Sequence, residues 1–277
     1  MSQHAMVAAL LDAAHRAGQA VMRHRVAGVS AELKADSSPV TAADHEAEAI
    51  ILEILAQVAP GVSVIAEEEA AAGRLGVRAD RFFLVDPLDG TREYVSGGDD
   101  FTVNIALIED GVPVLGIVYA PASARIYWGD TDGAWRAHLP LDGERAPAER
   151  IGCASSTPRP RAVASRSHAT PETETYLAAC GAGERLSIGS SLKFLLVAEG
   201  SADLYPRAGP TMEWDTAAGD AVLRAAGGMT YDLDGAPLGY GKPHYFNPGF
   251  VAVGRCAPPP PLGPFYPNRQ TVPGARA

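Results

Sequence analysis

The sequence predicts a layered α/β protein of two lobes, an α+β N-terminal part followed by a smaller α/β C-terminal part. Three observations predict it. Two amphipathic helical stripes open the chain, and short β-rich runs punctuated by Gly, Asp and Pro come next. Strand-like and helical patterns then alternate after a stretch rich in Pro and Arg. The 277 residues, 47% apolar and 20% charged, are enough for one large core or two modest ones.

Over residues 5–25, Val7, Leu10, Leu11, Ala14, Gly18, Val21 and Met22 share one helical stripe. Arg23, His24 and Arg25 suit its last turn, where cations complement the helix dipole. A second helix is expected over 41–58, because Ala47, Ile50, Ile51, Ile54, Leu55 and Val58 recur at intervals of three and four before Pro60-Gly61 stops the pattern. The period then shortens. Runs at 62–66, 81–85, 101–108, 112–119 and 125–128 read as strands, and Glu109-Asp110-Gly111 as a hairpin turn, so helices should pack on an antiparallel sheet. Residues 140–161 suit a connection between lobes. Beyond it, strands at 162–164 and 185–188 alternate with helices near 171–180, 191–199 and 214–226, the last ending at Gly227-Gly228. The proline run 258–261 and the polar end predict a disordered tail. The expected division is therefore 1–150, 151–256 and a tail of 257–277, with no internal repeat.

The formal charge of −10 argues against a broad nucleic-acid surface, which needs clustered Lys and Arg. No run approaches the roughly 20 apolar residues of a membrane span. The N-terminus also lacks the apolar core and cleavage site of a secretory signal, so a cytoplasmic protein is expected. Cys153, Cys180 and Cys256 are far apart, without CxxC spacing, and read as ordinary reduced residues.

The segment Asp86-Pro87-Leu88-Asp89-Gly90-Thr91 follows an apolar strand and carries the chemistry. Two carboxylates three apart on a tight turn can converge with a backbone carbonyl and a hydroxyl on one point, a site for a hard cation. Glu67-Glu68-Glu69 again follows a short strand, and Asp215 opens a helix far downstream. No His neighbours these acids, and ligands that are all oxygen favour Mg²⁺. Taken singly, each has a plain structural reading: Asp-Pro and Asp-Gly form turns, Glu67 to Glu69 a solvated acidic turn, Asp215 an N-cap, and Asp44 a capping box with Thr41.

In order along the chain, "VTAADHEAE", "IAEEE", "LVDPLDGTREY" and "MEWDTAAGDAVLRAAGG" resemble the inositol monophosphatase superfamily of Li⁺-sensitive, Mg²⁺-dependent phosphatases. Within it, "SSPVTAAD", "FTVNIALI", "SRSH", "GSSLKFLLVAEGSADLYPR" and "GPTMEWDTAAGDAVL" resemble the bacterial branch that removes the 3′-phosphate of adenosine 3′,5′-bisphosphate. The likeness runs over residues 5–255. It implies an αβαβα sandwich of the sugar-phosphatase type, with the site in the cleft between lobes. Glu67, Asp86 and the Leu88 carbonyl would hold a first Mg²⁺, and Asp86, Asp89 and Asp215 a second, with a third, weaker ion near Glu67. The residues matching Asp44 and Thr91 would orient or deprotonate the attacking water. Gly90 and Thr91 would offer amides to the phosphate.

For the nucleotide, the resemblance implies contacts from Ser165, His168, Gly189 and Lys193. Free N–H groups over Gly189-Ser190-Ser191 together with Lys193 could hold a second phosphate. Arg207 stands where inositol monophosphatases carry an acid for ring hydroxyls, and Arg92-Glu93 after Thr91 leans the same way. The expected partner is a small bisphosphate nucleotide, a by-product of sulfate assimilation, and neither nucleic acid nor stable membrane insertion is expected. Relatives are often dimers, so a homodimer stays open. Some bacterial relatives lie peripherally on the inner membrane, which the alanine-rich stripe of the first helix disfavours. Two other readings stand beside the nucleotidase: an inositol-1-phosphate or broad sugar-phosphate phosphatase on the same fold, and a nucleotide sensor without turnover.

Overall fold

A computed structural model describes residues 2–34, 39–155, 157–165, 170–256 and 258–266, with only the backbone of Ser165. Helix α1 (Gln3–Ala27) begins at Ser2, whose hydroxyl accepts the Ala5 N–H, and ends at Gly28. Strands β1 (Ala31–Leu33) and β2 (Pro39–Thr41) pair as a hairpin leading into α2 (Ala42–Val58). There the Thr41 hydroxyl accepts the Ala43 N–H and Asp44 accepts the Thr41 N–H, closing a capping box.

The chain then forms β3 (Ser63–Ala66), α3 (Glu67–Ala71), β4 (Arg81–Asp89), α4 (Thr91–Val95), β5 (Thr102–Glu109), β6 (Val112–Ala120), β7 (Arg125–Asp130), β8 (Gly133–His138) and β9 (Glu149–Ile151). These strands make one seven-stranded sheet in sequence order, antiparallel except where β3 lies parallel to β4. The expected connection over 140–161 thus contains a strand, β9, on the edge beside β8. The second stretch carries β10 (Ala162–Ser165), α5 (Pro171–Ala179), β11 (Arg185–Ile188), α6 (Leu192–Ala198), β12 (Leu204–Arg207), β13 (Thr211–Met212), α7 (Glu213–Ala225), β14 (Met229–Tyr231), β15 (Phe246–Asn247) and β16 (Phe250–Val253). Its sheet runs β11-β10-β12-β16-β14, and β13 pairs with β15.

Alternation along the strands sorts the core into layers. Phe83 and Val85 of β4 pack with α1 and α2, while Phe82 and Leu84 face α6 and α7. Tyr205, Phe250 and Ala252 meet the same two helices from the second sheet, and Leu204, Val251 and Val253 face Tyr176 and Leu177 of α5. The result is the αβαβα sandwich that the resemblance implies. Strands covered on both faces read as continuous apolar runs. Helix α7 lies so close on the first sheet that a Cβ at Gly116 would stand 2.4 Å from the Ala218 carbonyl oxygen, leaving only glycine room there. Asp215, in the first turn of α7, lies near enough to Asp86 of β4 for its charge to act there.

The tail departs from expectation. Leu262 is fully buried, the Tyr176 hydroxyl donates to the Pro260 carbonyl at 2.8 Å, and the Phe265 ring meets Tyr176 edge-on. Apolar residues after the proline run cover α5, so the chain packs as far as Tyr266, and residues 267–277 lie outside the described residues. Among the described residues, no helix is long and apolar enough to cross a membrane.

Candidate active site

β4 runs through the core and reaches Asp86, 1% exposed. Asp86 Oδ1 accepts the Leu88 N–H at 3.0 Å across Pro87, and the register with β5 breaks between Asp86 and Asp89. This bulge takes Pro87 and Leu88 out of the ladder, which resumes at Asp89 opposite Thr102, so the strand expected to end at 85 runs on to Asp89. Gly90 follows at φ +93, where an added Cβ would stand 2.6 Å from the Asp100 carbonyl oxygen. Helix α4 starts at once with Thr91.

The Thr91 Oγ1 lies 2.9 Å from the Leu88 carbonyl oxygen and 3.3 Å from Asp44 Oδ1. Its single proton serves one acceptor at a time, which leaves the hydroxyl poised between backbone and carboxylate. Asp44 is thus both the residue that completes the capping box of α2 and a partner of Thr91. Burial pushes its carboxyl up, against the two hydrogen bonds from Thr41.

Asp86 is buried, and Asp89, Asp215 and Glu67, each half-buried, are gathered close enough for their charges to act on one another. Burial drives Asp86 and Asp215 well above the usual carboxylate range, and the neighbouring acids add to it. Burial raises Asp89 to about 6, although Lys193 and the Ser191 amide pull it back. The Glu67 carboxylate is met by Lys34, at 2.6 Å, and the same ammonium lies 2.7 Å from Glu68. Burial opposes the Lys34 charge, but the two glutamates outweigh it and hold its pKa well above the ordinary value.

These acids do not form a closed cage: among the described residues, no three His, Cys, Asp or Glu side chains are grouped to hold an ion. Each is met by a protein donor, Asp89 Oδ2 by the Ser191 N–H at 2.5 Å and Asp215 Oδ2 by the Met212 N–H at 2.9 Å. The donor set is nonetheless all oxygen, and several carboxylates drawn together at the cleft carry the negative charge that a hard divalent cation offsets. The residues fit such an ion.

A cleft of ≈ 440 Å³ is lined by Glu67, Asp89, Thr91, Lys193, Arg207 and Asp215 among others. Gly90, Gly189 and Ser190 also border it. Lys193, 4% exposed, directs its ammonium to the Ile188 and Ser190 carbonyls and over the Tyr205 ring, and burial lowers its pKa to about 8. It is no solvated helix lysine. Arg207 donates to the Pro210 carbonyl, while its Nε is buried without a partner.

The amides expected to be free are engaged: the Gly189 N–H donates to Asp100 and the Ser191 N–H to Asp89. The α6 entrance is short, and neighbouring carboxylates have taken its donors. Ser165 ends β10 with its side chain outside the described residues, as is all of His168.

Three features escaped the sequence reading. Lys34 gives no local signal. Ser191, at the start of α6, joins Thr102 and Asn104 of β5 in a buried hydrogen-bond network, which needs the fold to form. Glu48 could have been found, since an acid at 48 falls between Ala47 and Ile51 on the apolar stripe of α2. It is buried, and its oxygens accept the Glu68 and Glu69 N–H groups at 2.8 and 3.0 Å. Burial, with the nearby Glu68 and Glu69 charges, pushes its carboxyl to about 7.

Comparison with known proteins places these features. Residues 2–255 match the model of the Inositol monophosphatase family. The chain is 44% identical over 248 residues to the 3′(2′),5′-bisphosphate nucleotidase CysQ of Salmonella typhimurium, covering 88% of this chain and 98% of that protein. It is 47% identical over 218 residues to the enzyme of the same name from Escherichia coli K12, covering 78% and 86%. The crystal structure of CysQ from Bacteroides thetaiotaomicron, a bacterial member of the inositol monophosphatase family, superposes with a TM-score of 0.77 at 38% identity. That match covers 92% of this chain and 99% of that one.

Proposed function

The chain belongs to the inositol monophosphatase family, and from that premise we propose that it is a 3′(2′),5′-bisphosphate nucleotidase converting adenosine 3′,5′-bisphosphate to AMP and phosphate. Membership of the family implies a divalent metal dependence. The observation that carries the nucleotide reading is the cleft wall: Lys193 and Arg207 face the same cavity as Asp89 and Asp215, so one cavity offers acids for cations and cations for a second phosphate.

Glu67, Asp86, the Leu88 carbonyl, Asp89 and Asp215 would hold two Mg²⁺ ions, with a third near Glu67. Bound there, the ions supply neutralisation for the phosphate dianion and its leaving oxygen. The chain's own groups do the rest. The Thr91 hydroxyl, donating to Asp44, accepts a hydrogen bond from the attacking water and aligns it, and Asp44 takes up the proton the water loses. The amides at Gly90 and Thr91 steady the phosphoryl oxygens. Lys193 and Arg207 hold the 5′-phosphate and fix the ribose, so that the water oxygen bonds to phosphorus as the bond to the 3′-oxygen breaks. The ribose oxygen leaves as a hydroxyl by taking a proton from solvent water, and Asp44 returns its own proton to solvent. Asp215, carried on a helix from the second stretch of chain, ties metal binding to the packing of α7.

Phosphate release from adenosine 3′,5′-bisphosphate and from inositol 1-phosphate, with millimolar Mg²⁺ and with chelator, tests the reading. Metal-dependent preference for the nucleotide is expected. Equal or faster release from inositol 1-phosphate would move the substrate to the inositol or sugar phosphates, and silence on both would make the protein a sensor.

A further inference from the structure

We infer that Glu48 is a positioning residue that orients Glu67 for metal binding and keeps it in register with Asp44; the inference rests on the metal site proposed above. Glu48 is 4% exposed and lies one turn beyond Asp44 on the same buried face of α2. Its two oxygens accept the N–H groups of Glu68 and Glu69, donors in the first turn of α3 that have no partner inside that helix.

Two features make this more than an ordinary cap. Helix α3 has five residues, and Ala66 at its N-cap offers no side-chain acceptor, so nothing within the element fixes its direction. The acceptor comes instead from α2, 20 residues away in sequence. The same helix presents Asp44 to Thr91 Oγ1 at 3.3 Å. A single rigid helix therefore sets, through residues four apart, both the turn bearing Glu67 and the hydroxyl that faces the water. Capping alone would be met by Ser, Thr or Asp at position 66. A carboxylate reaching across from α2 makes the placement of Glu67 depend on where Asp44 stands.

The test is calorimetric titration of Mg²⁺ into the substrate-free wild type, Glu48→Ala, Glu48→Gln and, as control, Glu53→Ala on the exposed side of α2. Thermal unfolding and the Mg²⁺ dependence of phosphate release are measured in parallel. Loss of a group that orients a ligand typically weakens metal binding 10–100-fold, and a Kd increase of about tenfold is expected for Glu48→Ala. The apparent KM for Mg²⁺ should rise in step, with kcat at saturating Mg²⁺ held within about twofold. Glu48→Gln, which keeps one acceptor, should fall between, and Glu53→Ala should match wild type. If Glu48→Ala does not fold, Glu48→Gln decides. A Kd for the folded Glu48 variants equal to wild type, or a fall in melting temperature and kcat without a change in Mg²⁺ affinity, overturns the inference. A wild type that binds no Mg²⁺ would instead refute the metal site itself.

Discussion

At the scale of single residues, Lys193 separates function from stability. Its ammonium is nine-tenths or more removed from water, and its pKa, lowered by burial to about 8, means that the charged form is disfavoured in the folded protein. Since the folded value lies below the unfolded one, the charge costs stability at neutral pH and the cost fades as pH rises through 8. Lys193→Met should therefore leave the melting temperature equal or higher. At the same time kcat/KM for adenosine 3′,5′-bisphosphate should fall on the order of 100-fold, the size of a lost charge-assisted contact to phosphate. A parallel drop in melting temperature would show that Lys193 is structural. The residue types at 86, 89, 193 and 215 stood out through the family resemblance, the acids also through their places at a strand end and a helix start. Lys34 did not, because its importance lies in a 2.6 Å contact with Glu67 that no sequence interval announces.

The turn between β4 and α4 governs the site at the scale of elements. Gly90 joins them at φ +93 with the Asp100 carbonyl against it, so an L-residue there meets both strain and a clash. Gly90→Ala should cost about 1–3 kcal/mol, the range for a non-glycine residue forced into such backbone. Denaturant unfolding would reveal this as a lower midpoint at unchanged slope, and full stability would mean that the turn relaxes freely. The sequence placed the turn at Gly90 but ended the strand at 85, whereas β4 continues through a bulge to Asp89 before Gly90 breaks it. The sequence also misjudged the loop 189–191. Glycine and serines before a helix read as free amides, whereas Asp100 and Asp89 reach across from the first sheet and take them. Which donors stay free depends on what the neighbouring sheet presents.

Across the whole molecule, the concentration of buried acids links metal, protons and stability. Asp89 and Glu48 have folded values of about 6 and 7, above their ordinary ones, and Asp86 and Asp215 are also raised well above theirs. A carboxyl with a raised folded pKa binds protons more tightly in the folded state, so the metal-free protein gains stability as pH falls through 7 and 6. The gain is complete below the unfolded values. Metal-free protein should melt higher at pH 6 than at pH 8, and saturating Mg²⁺, which competes with protons for the same oxygens, should reverse that order. Scanning fluorimetry at the two pH values, with chelator and with Mg²⁺, checks both. A metal-free melting temperature that rises from pH 6 to pH 8 would show that these acids stay ionised.

The sequence by itself determined the five longer helices, the apolar strands that separate them, the layered α/β class and the carboxylate-bearing end of β4, though not β8, β9 or the later strands of the second sheet. These follow from interactions between near neighbours in the chain: hydrophobic period, capping and the backbone limits of Pro and Gly. Only the tertiary structure decided that the residues after the proline run cover α5, that Glu48 grips α3, and that Lys34 meets Glu67. Those contacts join residues 20 to 80 or more apart, and their energies depend on burial, which no local pattern encodes.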